Sequence, residues 1–447
     1  MAGFFQPFEE WAADRVVEPA GQVEGVHAGE LEWNGRRVLN AASHDVLGLG
    51  TDARVREAAL AAIRRYGSAA PGLTRVHREL ADRLAQTLNK PAVVLSSSFE
   101  RLLLPLFEAA DALRLEARSL ESLQIVARLA HAQPVGSFDE EVEHPLVVAP
   151  GVAPHEGELA EISKLDAFAR RNSGALLVDE SYAFGVLGNN GLGAAEHLLV
   201  DVPLIGGTLQ GLASQGAFLA GPKPVIDYLA AALGTQAMPA VPACAAASKA
   251  LEIATAEPNR RARLWDATAK LKQMLHVAGF DTGPSVSHRI PLWVGDEGKA
   301  MKLARELLDA GVRVGVHVPP GRARLVVNAQ AVHTDAQLEQ IAATLEKHAR
   351  SLGVIEGARP ASPPPVHLAR PGSYLTTAPT SPRWSVVQKP AEEPQGLRQL
   401  LRMPSKAVLN QVFDTVETLT WRAAQLGSTD LKRIWEKRKR LRDLLPR

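Results

Sequence analysis

The chain has 447 residues, too many for one ordinary core, with 46% hydrophobic and only 5% aromatic residues. That balance implies a globular protein with aliphatic cores and more than one domain. The net charge of +1 excludes a uniformly basic nucleic-acid binder. The absence of an apolar run of about 18 residues excludes a transmembrane helix.

At the N-terminus, residues 1–49 read as an arm with a short helix around Pro7 to Val17. The acidic Glu9, Glu10 and Asp14 stand where a secretory signal needs basic and then apolar residues. The only cysteine, Cys244, leaves no internal disulfide and reads as a small buried apolar residue. These features together suggest a cytoplasmic protein.

Residues 50–240 alternate short apolar runs with helical stretches. Ala92–Leu95, Leu146–Ala149, Ala175–Val178, Leu204–Ile205 and Ala217–Ala220 are continuous and apolar, as strands covered on both faces are. Val55–Tyr66, Thr74–Leu88 and Glu158–Asn172 have helical spacing. The alternation predicts a doubly wound α/β domain. Residues 241–355 predict a smaller α+β domain: helices at 240–255 and 259–277, a strand at 289–294, a helix at 299–310, strands at 312–316 and 324–328, and a helix at 335–351.

Residues 356–397 read as a linker, since 357–397 hold nine of the thirty prolines. Within it, Tyr374–Gln388 fits either a docking peptide or a solvated stretch. Residues 398–447 then suggest two helices. The first runs from Ser405 to Leu426, with Leu409, Val412, Phe413, Val416 and Leu419 on one side. The second carries Leu431, Ile434, Trp435 and Leu441 as a stripe. Leu431–Arg447 has eight Lys or Arg against Glu436 and Asp443, so the rest of the chain is near −5. Trp421, Lys432, Arg433, Trp435, Lys437, Arg438 and Arg440 are therefore candidate partner contacts. A basic amphipathic helix suits a protein partner or an anionic membrane. No groove-reading motif supports specific nucleic-acid recognition.

Five segments in order carry a resemblance. Residues 40–50 read NAASHDVLGLG, 72–80 GLTRVHREL, 176–185 LLVDESYAFG, 206–218 GGTLQGLASQGAF, and 321–325 GRARL. Together they resemble the α-oxoamine synthases, which include 8-amino-7-oxononanoate synthase and serine palmitoyltransferase. The resemblance implies a fold-type I pyridoxal-phosphate (PLP) transferase: a large doubly wound domain, a small C-terminal domain and a dimer with its site at the interface. It makes Asp179 the carboxylate for the cofactor's ring nitrogen. It also places Ser98 and Phe99 in the phosphate turn and Thr208 beside the cofactor lysine.

At the lysine position, give or take one residue, stands Gln210, and no lysine occurs between Lys164 and Lys223. An amide cannot form the imine that holds this cofactor. Ala117 or Arg118 stands where the family has a stacking histidine, and Tyr182 where it has a second histidine. Glu100 enters the phosphate turn, and Val326 replaces a second C-terminal arginine beside Arg324. The expectation is a pseudoenzyme without cofactor, its vestigial pocket formed by Ser98, Phe99, Asp179, Tyr182, Thr208 and Gln210. It would act as a homodimer, or with an active paralogue, as a scaffold or adaptor whose tail recruits a partner. The alternatives are a working PLP-dependent acyltransferase with an unusual site, using Asp179, Tyr182, His44 and His77, and tail-mediated binding to an anionic membrane or nucleic acid.

Overall fold

The computed structural model describes residues 22–68, 72–130, 132–134, 141–319, 321–356 and 364–370. The expected N-terminal helix, the linker peptide and the tail contacts from Trp421 to Arg440 lie outside the described residues.

Seven strands form the central sheet: β4 (Ala92–Ser96), β5 (Ala112–Leu115), β6 (Gln133–Pro134), β7 (Pro145–Pro150), β8 (Ala175–Asp179), β9 (Leu204–Thr208) and β10 (Ala217–Gly221). Their order is β4-β10-β9-β8-β7-β5-β6. The pairs from β9 through β8, β7 and β5 to β6 are parallel. Only β10 runs against both its neighbours. Every residue of β7 and β10 is buried, which is why these strands appear in the sequence as unbroken apolar runs.

The pleat divides those runs between two cores. Val147 and Ala149 pack on one face with Leu176, Val178 and Phe218. Leu146 and Val148 pack on the other with Leu177, Leu204 and Leu219. Helices cover both faces. Ala53–Tyr66 starts at Asp52, whose side chain accepts from the Arg54 amide at 3.0 Å. Phe99–Ala109 lies on the face with Leu177.

The C-terminal part is α+β. Strands β11 (Arg289–Gly295), β13 (Gly315–His317) and β14 (Ala323–Asn328) form an antiparallel sheet in the order β11-β14-β13. Helices Asn259–Ala278, Glu297–Asp309 and Asp335–Ser351 pack with it through Leu271, Leu303, Leu325, Ile341 and Leu345. Among the described residues no helix is long and apolar enough to cross a membrane.

Three segments differ from the sequence expectation. Residues 23–40, read as part of an arm, form strands β1 (Val23–His27), β2 (Glu30–Trp33) and β3 (Arg36–Asn40). The stretch 312–316 is not one strand. Its first residues form β12 (Val312–Arg313), parallel to β3, and the chain then switches to β14 through β13. The helix expected from Glu158 begins only at Ile162, because Glu158 closes a turn in which its carbonyl accepts from the Ala153 amide at 2.8 Å.

Candidate active-site cleft

Strand β8 ends in a carboxylate, as the carboxyl edge of an open α/β sheet favours. Asp179 is 3% exposed and accepts from the Ser181 hydroxyl at 2.5 Å and the Ser181 amide at 3.0 Å. Burial pushes its carboxyl up to about 6, and those hydrogen bonds pull only part of the way back. No described cation pairs with it, so it is a buried acid without a counter-charge.

Next to it, Glu180 is a residue the sequence reading missed. It is fully buried and accepts from the Ala194 and Ala195 amides at 2.8 and 2.9 Å. Burial pushes it up to about 7. A Cβ on Gly193, whose φ is +115°, would meet the Glu180 carboxyl at 2.4 Å. Glu180 thus anchors the following glycine-rich loop and leaves Asp179 as the acid available to a ligand.

The Gln210 segment is the hairpin between β9 and β10. Thr208 pairs with Ala217, and the Leu209 amide donates to the Gly216 carbonyl at 2.8 Å. Gln210 opens a single 3₁₀ turn and is exposed. Thr208 donates its amide to the Ser181 hydroxyl at 2.9 Å, while its own hydroxyl is buried without a partner. Lys223, the next lysine along the chain, lies beyond β10 and pairs with Asp227 at 2.7 Å.

Of the remaining pocket candidates, Ser98 caps the helix Phe99–Ala109 by accepting from the Arg101 amide at 3.3 Å. Free amide donors at a helix start suit a phosphate. Phe99 points elsewhere: it is 1% exposed in the core, and a Cβ on Gly206 would lie 2.7 Å from its ring. Tyr182 is packed by His44, with ring centroids 5.3 Å apart, and by the Arg289 guanidinium at 4.3 Å. Burial and the Arg289 and Arg313 charges push His44 down to about 4. His77 is structural: its Nδ1 accepts from the Thr74 amide at 3.1 Å, which leaves its Nε2 to donate to the Pro239 carbonyl at 2.9 Å.

The loop 153–158 carries the other charges. Arg324 donates to Glu156 at 2.6 Å, both nearly buried. Arg118, at or beside the expected stacking position, pairs with Glu116 and Glu158. Glu121 takes His155 at 3.1 Å and His317 at 3.2 Å. Their ligand atoms lie within 4.8 Å of one another, close enough to suggest a metal site. The two imidazoles, however, are stacked 3.7 Å apart with their planes 3° from parallel. Ligand lone pairs lie in the ring plane, so stacked rings cannot both aim at one ion. The trio is a hydrogen-bonded cluster.

The chain matches the family model for aminotransferase class I and II over residues 150–345. It is 31% identical over 391 residues to the 8-amino-7-oxononanoate synthase of Symbiobacterium thermophilum, covering 79% of this chain and 96% of that one. It is 31% identical to the serine palmitoyltransferase of Sphingobacterium spiritivorum, covering 70% and 86%. This chain belongs to that family of PLP-dependent transferases. A serine palmitoyltransferase structure from S. paucimobilis superposes with a TM-score of 0.70 at 22% identity, covering 79% of this chain and 98% of that one.

These findings correct the expectation that no cofactor is used. The family is PLP-dependent, and that solved neighbour is described as a lysine-to-alanine variant with PLP and myriocin bound. The ring nitrogen and phosphate of such a cofactor can be held by contacts other than an imine. The residues present fit such holding: an uncompensated acid at Asp179, amide donors behind Ser98 and a free hydroxyl at Thr208. They offer no amine for an imine.

Proposed function

We propose that this chain holds PLP without a covalent bond to itself and serves as a non-catalytic subunit of the α-oxoamine synthase type. The observation that carries the reading is the pairing of a buried acid lacking a counter-charge, Asp179, with an exposed amide at Gln210. When bound, PLP supplies an electron sink for an amino-acid substrate. Asp179 would hold the ring nitrogen's proton, the helix start at Ser98 and the Thr208 hydroxyl would take the phosphate side, and Tyr182 would wall the site. Arg324, the family's C-terminal arginine, is already engaged by Glu156. No lysine stands at the hairpin to move a proton. The chain would dimerise with itself or with an active paralogue, and the basic tail would recruit a partner.

The test is equilibrium dialysis of the full chain with PLP, followed by borohydride reduction. We expect saturable binding that dialysis reverses, no covalent adduct, and at least a tenfold loss of affinity in Asp179→Asn. An adduct within residues 165–222 would overturn the non-covalent reading.

A second reading, a working acyltransferase, is favoured by the catalytic names of the relatives and the 96% coverage of one of them. It predicts turnover of an amino acid with an acyl-CoA by the isolated chain, lost in Asp179→Asn. Such turnover would overturn the non-catalytic assignment.

A further inference from the structure

The helix Asn259–Ala278 carries two lysines two residues apart with opposite fates. Lys270 is half-exposed and pairs with Asp335 at 2.7 Å. Lys272 is 3% exposed, and its ammonium donates to the Ser285 carbonyl. Among the described residues no carboxylate pairs with it. A buried ammonium satisfied by one carbonyl is costly unless something else supplies negative charge.

Beside it is a cavity of ≈ 260 Å³. Its polar side chains are Lys272, His276, Asp281, Thr282, Ser285 and His367. Pockets for drug-sized ligands span roughly 300–1,000 Å³, so this one suits a compact ion. The titratable groups facing it are Lys272, His276, Asp281 and His367. Asp281, the only acid among them, accepts from the Gly283 amide at 2.9 Å.

His276 and Thr282 add a proton-dependent donor. His276 Nδ1 is 2.9 Å from the Pro364 carbonyl, which only accepts, so this nitrogen carries hydrogen. His276 Nε2 is 2.7 Å from the Thr282 hydroxyl. While the ring is neutral, Nε2 accepts the hydroxyl proton. Once the ring is protonated, Nε2 donates instead, and the Thr282 hydroxyl is released to donate into the cavity. Burial holds His276 below its usual range, so the unliganded pocket favours the first arrangement.

We propose that this cavity is a binding site for a small oxyanion, with Lys272 as its counter-charge and the His276–Thr282 pair as a proton-linked donor. The site lies on the helix Asn259–Ala278 and the loop 281–285, and it does not rest on the cofactor reading. Burial pushes Lys272 down to about 8. An anion favours the ammonium, so binding takes up protons, and affinity falls about tenfold per pH unit above that value.

The experiment uses the full chain with inorganic phosphate in one arm and glycerol phosphate in the other, at constant ionic strength. Binding is read by calorimetry and by Tm at about pH 7 and about pH 9. We expect saturable phosphate binding at the lower pH, at least tenfold weaker at the higher. Lys272→Met should abolish it, and Thr282→Val should weaken it several-fold. Without anion, Lys272→Met should melt no lower than the parent chain, because an apolar side chain replaces an unpaired charge. Glycerol phosphate binding through Lys272 would also support the site and extend it to esters. Absence of saturable binding in both arms would overturn the proposal, as would equal binding by Lys272→Met. If that variant fails to fold, undiminished phosphate binding by Thr282→Val overturns the proton-linked donor, and pH-independent binding by the parent chain overturns the Lys272 site.

Discussion

The cleft around loop 153–158 and the pocket behind Lys272 manage buried charge in opposite ways. In the cleft, Arg324 has Glu156, and Arg118 has Glu116 and Glu158. In the pocket, Lys272 has a carbonyl and an adjoining cavity. The difference separates charges that are spent on folding from those available to a ligand. Asp179, buried at the end of β8, belongs with Lys272 in this respect.

The largest expected effect comes from breaking a spent pair. Arg324→Met leaves the nearly buried Glu156 without its ion-pair partner, and should cost about 3–5 kcal/mol in urea unfolding. Adding Glu156→Leu should recover much of that loss. If Arg324→Met is neutral by itself, the pair is not spent on folding and the contrast fails.

A smaller effect concerns Glu180. Its carboxyl is raised from 4.5 to about 7 in the folded protein, so the folded state holds its proton where the unfolded state has released it. Stability therefore falls as pH rises from about 4.5 to about 7, by about 3 kcal/mol for this group. In Glu180→Gln that decline should shrink, measured as the difference between the two unfolding-versus-pH curves.

Stability should change by less than about 0.5 kcal/mol in Gln210→Lys, because the position is exposed. Its chemical effect is larger: borohydride should then trap PLP at position 210. Failure to trap would mean that the hairpin does not face the bound cofactor. Smallest of all, Cys244 should resist thiol reagents until the protein unfolds. It is fully buried, and burial pushes its thiol up to about 12.

Much of this was legible in the sequence where the signal is local. Strands buried on both faces appear as apolar runs, and the family motifs stand in order with Gln210 among them. What was not legible depends on distant partners or on which way a side chain faces. Arg324 and Glu156 are 168 residues apart. Glu180 looks like one more acid after Asp179, yet it faces the backbone of the loop it anchors. Phe99 belongs to a recognisable turn, but as the first residue of the helix Phe99–Ala109 it packs into the core. Lys270 and Lys272 look alike in sequence, and only the packing of the helix separates them. The split at 312–316 arises because one short segment serves two sheets.

The reversal of β10 also makes the Gln210 segment editable. Since Thr208 and Ala217 face each other across the hairpin, an added residue in the turn need not disturb the pairing of either strand. Loop closure grows slowly with length, so the thermodynamic cost of a longer turn is small. The loss or return of an amine at this spot is thus a change the scaffold can absorb, and the fold and the chemistry at this turn are free to vary separately.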